Sequence, residues 1–136
     1  MNSNIGLWID HKQAYLIRYD QNKVEVIQSN VEPRAHYTGG ARIEGTYNQG
    51  IDSEAHHNDR YENELGKYYA RVIEILKTAD SILVMGPGEA KLEFEKALEK
   101  HKSLRNKLLE IQTADKMTKN QMIARVRKFY DDQVIA

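Results

Sequence analysis

The chain has no cysteine, which excludes disulfides, thiolate catalysis and cysteine-ligated zinc and fits a reducing interior. It lacks any apolar run approaching the ~20 residues of a membrane span. Met1-Asn-Ser-Asn-Ile5 has neither the basic start nor the apolar core of a signal segment, so we expect a cytoplasmic protein with no membrane partner. An excess of charge is missing too. Twenty basic and twenty acidic side chains cancel, which argues against DNA or RNA binding driven by bulk charge alone. No internal repeat and no stacking-aromatic motif of an RNA-recognition domain is present.

What the chain does have is the composition of an ordinary globular protein, with 40% apolar and 29% charged residues. Its 136 residues suit one domain spanning 1–136, able to bury roughly two thirds of the surface exposed when unfolded. The densest signal is Ser81-Ile-Leu-Val-Met-Gly-Pro-Gly-Glu-Ala-Lys91. Ile82 to Met85 is apolar without alternation, as in a strand covered on both faces of a parallel sheet. Gly86, Pro87 and Gly88 then form a tight turn into a helix, whose amide groups sit at the carboxyl end of a buried strand.

Three β-rich runs open the chain, Ile5 to Asp10, Gln13 to Tyr19 and Lys23 to Ser29, joined by connections short enough for hairpins. They predict three antiparallel neighbours. From about Asn30 to Asn58 the composition turns to Gly, Asn, His, Glu and Arg, which predicts a long flexible loop suited to a working part. Asp59 and Glu62 then read as a helix start, followed by Leu65, Tyr68, Tyr69, Val72, Ile73 and Leu76 at helical spacing. After the strand at Ser81 to Met85 come a helix from Glu89 to His101, a strand from Lys107 to Thr113, and a closing helix behind the Thr118–Gln121 capping box.

The order is β-β-β-α-β-α-β-α. With right-handed crossovers it requires an α/β fold, a mixed five-stranded sheet with helices on both faces, as in the ribonuclease H-like plan. Such a plan does not by itself give function.

Lys67-Tyr-Tyr-Ala-Arg71, Ile82-Leu-Val-Met-Gly-Pro-Gly88 and Glu89-Ala-Lys-Leu-Glu-Phe94 resemble the middle domain of archaeal and eukaryotic peptide-chain release factors and of Pelota. The short bacterial stand-alone relatives of that domain look closer, through Gly-Pro-Gly-Glu-Ala-Lys and Asp115-Lys-Met-Thr-Lys-Asn-Gln-Met122. The resemblance implies a factor that associates with the ribosome or tRNA in a rescue, release-like or hibernation role, with a protein-interaction module that kept the fold without RNA contact as an alternative. In release factors the loop before the long helix carries a Gly-Gly-Gln tip that helps hydrolyse peptidyl-tRNA. Here Gly39, Gly40, Ala41 and Arg42 stand in that loop, the glutamine is absent, and the expected role is binding, with no cofactor.

Other groups have chemistry of their own. Asp10 ends the first strand, where ribonuclease H-like nucleases place a metal ligand, and Glu62, Glu64 and Asp115 are the acids that would complete such a site. The simpler reading of Asp10 is a turn cap. His56 and His57 with Asp52 and Asp59 have ligand chemistry but lie on the predicted loop, and no metal site is assigned to them. The turn at Gly86, Pro87, Gly88 and Lys91 lacks the Gly-Lys-Ser/Thr end of a P-loop and the third glycine of a dinucleotide fingerprint. Lys116, Lys119, Arg125, Arg127 and Lys128 run without an intervening acid. They read either as a face for RNA phosphates or as a solvated helix surface. Tyr68, Tyr69 and Tyr130 are expected to cover the core with their hydroxyls in water, and Trp8 to anchor it. His11 and His101 receive no role.

Overall fold

A computed structural model describes residues 3–21, 23–31 and 47–135, with side chains between 60 and 133 of the last stretch. Strands β1 (Asn4–Ile9), β2 (Gln13–Arg18) and β3 (Lys23–Gln28) form the expected antiparallel meander. Helix α1 (Tyr47–Leu76) leads to β4 (Ser81–Gly86), α2 (Ala90–Glu99), a single turn α3 (Lys102–Arg105), β5 (Leu108–Thr113) and α4 (Lys119–Ile135). The sheet order is β3-β2-β1-β4-β5, with β4 parallel to both β1 and β5. The fold is therefore the α/β, five-stranded mixed sheet expected from the sequence.

Both faces of the sheet are covered, which explains the unbroken apolar runs. Ile5, Leu7 and Ile9 point one way with Leu16, Ile82 and Val84, against Tyr68, Val72 and Leu76 of α1 and Phe94 and Leu98 of α2. Trp8, Tyr15, Ile17, Leu83 and Met85 point the other way, against Met122, Val126 and Tyr130 of α4. Fully buried rings such as Phe94 and Tyr68 each stabilise the fold by about 2 kcal/mol or more. Trp8 is the expected anchor. Its Nε1–H donates to the carbonyls of Ala114 (3.1 Å) and Asp115 (3.3 Å), tying β1 to the chain that leaves β5.

α4 sits close on the sheet because Gly6 has no side chain: a Cβ there would lie 2.3 Å from Cγ2 of Val126. Beside it the buried Tyr130 hydroxyl donates to the Ile5 carbonyl at 3.0 Å. The helix starts as its sequence predicts. The Thr118 amide donates to Gln121 Oε1 (2.9 Å) and the Gln121 amide to Thr118 Oγ1 (3.1 Å), a reciprocal capping box.

One boundary needs correction. Helix begins at Tyr47, not at Asp59, so the C-terminal part of the predicted 30–58 loop is helical and Asp59 and Glu62 lie inside α1. Polar composition hid this, since Gly50 and the histidines are weak helix formers. Nucleation is the costly step of helix formation. Once the packed Leu65–Leu76 portion nucleates α1, each further turn extends it cheaply. Gly39, Gly40, Ala41 and Arg42 lie outside the described residues, as does the whole of 32–46. The single turn α3 is an element that the sequence pattern did not predict.

Two glycines make opposite predictions. A Cβ on Gly86 would sit 2.2 Å from the Ile9 carbonyl oxygen, a backbone atom that cannot swing aside, whereas a Cβ on Gly66 would meet nothing within 4 Å. Gly86→Ala is expected to lose about 3 kcal/mol of unfolding free energy. Gly66→Ala, in the interior of α1, should gain about 1 kcal/mol, both read by urea unfolding.

Burial pushes the Tyr130 hydroxyl up to about 12 from its ordinary 10.0. Its neutral form is thus favoured by folding, and the stability it contributes is complete below pH 10 and lost as pH climbs towards 12. Tyr130→Phe should be less stable at pH 8 by about 1 kcal/mol for the missing hydrogen bond. It should also show a shallower loss of stability above pH 10 in the same unfolding assay.

Candidate functional site

Chain direction reverses around β1 and β4. β1 leads outward to β2 on one side and β4 to β5 on the other, so their carboxyl ends flank a crevice, the usual place for a ligand in an open α/β sheet. The Gly86-Pro87-Gly88 turn builds one lip. Gly88 has φ of 60°, a left-handed conformation that glycine adopts without strain. Lys91, buried to 7% exposure, turns back so that its Nζ donates to the Gly88 carbonyl. The Gly-Glu-Ala-Lys run therefore serves the turn itself: its lysine is spent on closing it.

The other lip is the β1–β2 turn. Asp10 Oδ1 accepts from the amides of Lys12 and Gln13, each at 2.8 Å, which is the turn-capping role expected of it. That cap presents His11. Its Nε2 lies 3.0 Å from Glu93 Oε1 on α2, and the same oxygen accepts the Tyr69 hydroxyl of α1 at 2.7 Å. Tyr61 meets the His11 ring edge to face, with centroids 6.4 Å apart. One carboxylate thus joins the β1–β2 turn, α1 and α2.

Below this junction runs a groove of about 420 Å³ between α1 and α2. It is lined by Tyr61, Glu62, Leu65, Gly66 and Tyr69 of α1 and by Glu93, Lys96 and Ala97 of α2 with its caps Glu89 and Lys100. The spacing on α2, four, three and four residues, places its acids and lysines on one stripe. The acidic end lies by the turn and the basic end further down.

The tyrosine hydroxyls differ from expectation. Tyr68 donates to the Asp10 carbonyl at 3.0 Å, Tyr69 to Glu93 and Tyr130 to Ile5, so all three bond to protein rather than to water. Burial, first, raises both the Tyr68 and Tyr69 hydroxyls far above the ordinary tyrosine range, with the nearby Asp10 and Glu93 charges adding to it. They are neutral donors at any physiological pH.

The acids named for a nuclease are not gathered. Asp10 is engaged in its turn, Glu62 faces the groove, and Asp115 follows β5, where its carbonyl receives Trp8. Among the described residues no three His, Asp or Glu side chains stand close enough to hold a metal ion, and Glu64 joins no such group.

The five cations at the end of the chain do not share one face. Lys116 lies over the rings of Trp8 (5.6 Å) and Tyr15 (5.1 Å), a cation–π packing role. On α4, at about 100° per residue, Arg125 and Arg127 fall roughly 160° apart, on opposite flanks of the buried Met122–Val126–Tyr130 seam. Arg125 donates to Gln112 of β5 at 3.1 Å. Arg127 lies on the Tyr19 side, where the Tyr19 hydroxyl donates to Asp131, and Lys128 pairs with Asp132 at 3.7 Å. Lys119 stands in the first turn.

Neither His11 nor Glu93 stands out in the sequence. The available signal was position: His11 directly follows the carboxyl end of β1, and Glu93 lies one turn into the helix behind the glycine turn.

No family model and no curated protein matches this chain. Among solved structures, it is similar to the crystal structure of the archaeal translation termination factor aRF1, with 16% identity and a TM-score of 0.44. That alignment covers 98% of this chain and 40% of the factor, so the chain spans two fifths of that protein's length.

Proposed function

We propose that this chain is an RNA-binding domain of the translation machinery, contacting ribosomal RNA or tRNA without processing it. The observation that carries the reading is the length of α1. Thirty residues give about 45 Å of helix, while six-residue strands span about 20 Å. The lower end of α1 is fixed by the sheet, since Ala79 follows Leu76 in a tight turn and Tyr68 already reaches the Asp10 carbonyl at the carboxyl end of β1. Twenty-one residues of α1 precede Tyr68. Helix of that extent exceeds what the sheet can cover, and Gly39 and Gly40 precede it in the sequence.

Reach explains such a helix better than stability does. The resemblance of Lys67–Arg71 and of Ile82–Phe94 to the release-factor and Pelota middle domain supports a ribosomal setting for it. The absence of glutamine after Gly39-Gly40, and the dispersal of Asp10, Glu62, Glu64 and Asp115, favour binding over hydrolysis. With zero net charge, affinity must come from local cations. Arg125 is the strongest of these, because no acid lies three or four residues from it on α4, whereas Arg127 has Asp131 one turn away.

The protein is expected to co-sediment with ribosomes at low salt and to be released as salt rises. Arg125→Glu should weaken that association about tenfold and Arg127→Glu about twofold at most, since a single flank of α4 faces the RNA. Failure to co-sediment at low salt removes the reading.

A further inference from the structure

We propose that the groove between α1 and α2 binds one unstacked guanine nucleotide, and it rests on the RNA reading only for the source of that nucleotide, free or within a strand. Size allows it. A cavity of about 420 Å³ lies within the range of small-ligand sites. Its walls are polarised along α2 from Glu89 to Lys100, and seven residues from Glu89 to Lys96 cover about 10 Å, a span suited to a nucleotide from base edge to phosphate. Lys96 and Lys100, one turn apart and both exposed, would hold the phosphate.

The base is chosen by the other end. Glu89 is the N-cap of α2, yet its carboxylate makes no cap hydrogen bond to that helix. A carboxylate only accepts, with two oxygens side by side. Guanine alone offers two adjacent donors, N1–H and the 2-amino group, on one edge. Adenine and cytosine would set a ring-nitrogen lone pair against the carboxylate, and uracil has a single N–H between two carbonyls. His11 and Tyr61, edge to face beside that end, supply ring surface. His11 is itself oriented by Glu93, which Tyr69 holds through the same oxygen.

Gly66 is the independent sign of an occupant. Glycine in a helix interior is unfavourable, and here nothing in the protein demands it, because a Cβ would enter open space. Gly66 lines the groove, and the absence of side-chain bulk there leaves room for a flat ring against the helix backbone.

The test is titration of the full chain with GMP, AMP and guanosine by heteronuclear NMR, together with five-nucleotide RNAs carrying one central G or A. Saturable shifts at Gly66, Glu89 and Lys96 are expected with GMP, and about tenfold weaker binding of AMP. Gly66→Leu should fill the groove and cut GMP affinity about tenfold without lowering the melting temperature, which a merely structural role would not produce. Lys96→Gln should weaken GMP but leave guanosine unchanged. Binding of the G-containing RNA without binding of GMP, lost in Gly66→Leu, identifies the strand as the source. Equal binding of AMP, indifference to Gly66→Leu, or no saturable binding of any probe overturns the proposal. If the probes fail while the protein still co-sediments with ribosomes, the groove is wrong and the RNA reading stands; loss of co-sedimentation with GMP binding intact gives the reverse.

Discussion

The structure depends on one close approach of backbone to backbone, where Gly86 at the end of β4 passes the Ile9 carbonyl at the end of β1. A Cβ would stand 2.2 Å from that oxygen, so only glycine lets the two central strands end together. Everything around the crevice is registered from this point. β1 continues into the Asp10 cap and His11, and β4 into the turn locked by Gly88 and Lys91, from which α2 carries Glu89 and Glu93. Were the strand ends held further apart, Glu93 could not take hydrogen bonds from both His11 and Tyr69.

A second close approach serves the opposite face. Gly6 lets Val126 of α4 rest on the sheet, and the buried Tyr130 hydroxyl and Trp8 Nε1 donate to the carbonyls of Ile5 and Ala114, so neither donor is left unpaired. The two faces divide the work. α4 completes the core and holds Arg125 and Arg127 on separate flanks, while α1 and α2 enclose the groove and α1 extends past the sheet.

The central elements were legible because apolar runs and spacing carry them. Ile82–Met85 read as a doubly covered strand and is one, with Ile82 and Val84 in one core and Leu83 and Met85 in the other. The Thr118–Gln121 box and the Asp10 turn were legible because the side chain and the backbone it caps are neighbours in sequence. What could not be read is either cheap in energy or distant in sequence. The first turns of α1 carry only Tyr47, Ile51 and Ala55 among polar residues, a stripe too thin to mark a helix, since extension of a nucleated helix needs little more. His11 and Glu93 are 82 residues apart, and only the sheet register brings them within 3.0 Å. The cations of 116–128 looked like a cluster in one dimension. A helix of 3.6 residues per turn sends Arg125 and Arg127 to different sides, and Lys116 goes to the rings of Trp8 and Tyr15.

Zero net charge, a polarised groove and a long helix suit selective contact at a few points rather than adhesion to any polyanion. Zero-length ultraviolet crosslinking in living cells, followed by mass spectrometry of the joined peptides, tests this claim most directly. Crosslinks to ribosomal RNA or tRNA are expected on peptides of the α1–α2 groove, with Tyr61 or His11 at the attachment point. Recovery of the protein with no RNA attached, or with RNA attached indiscriminately over all its lysines, would contradict it.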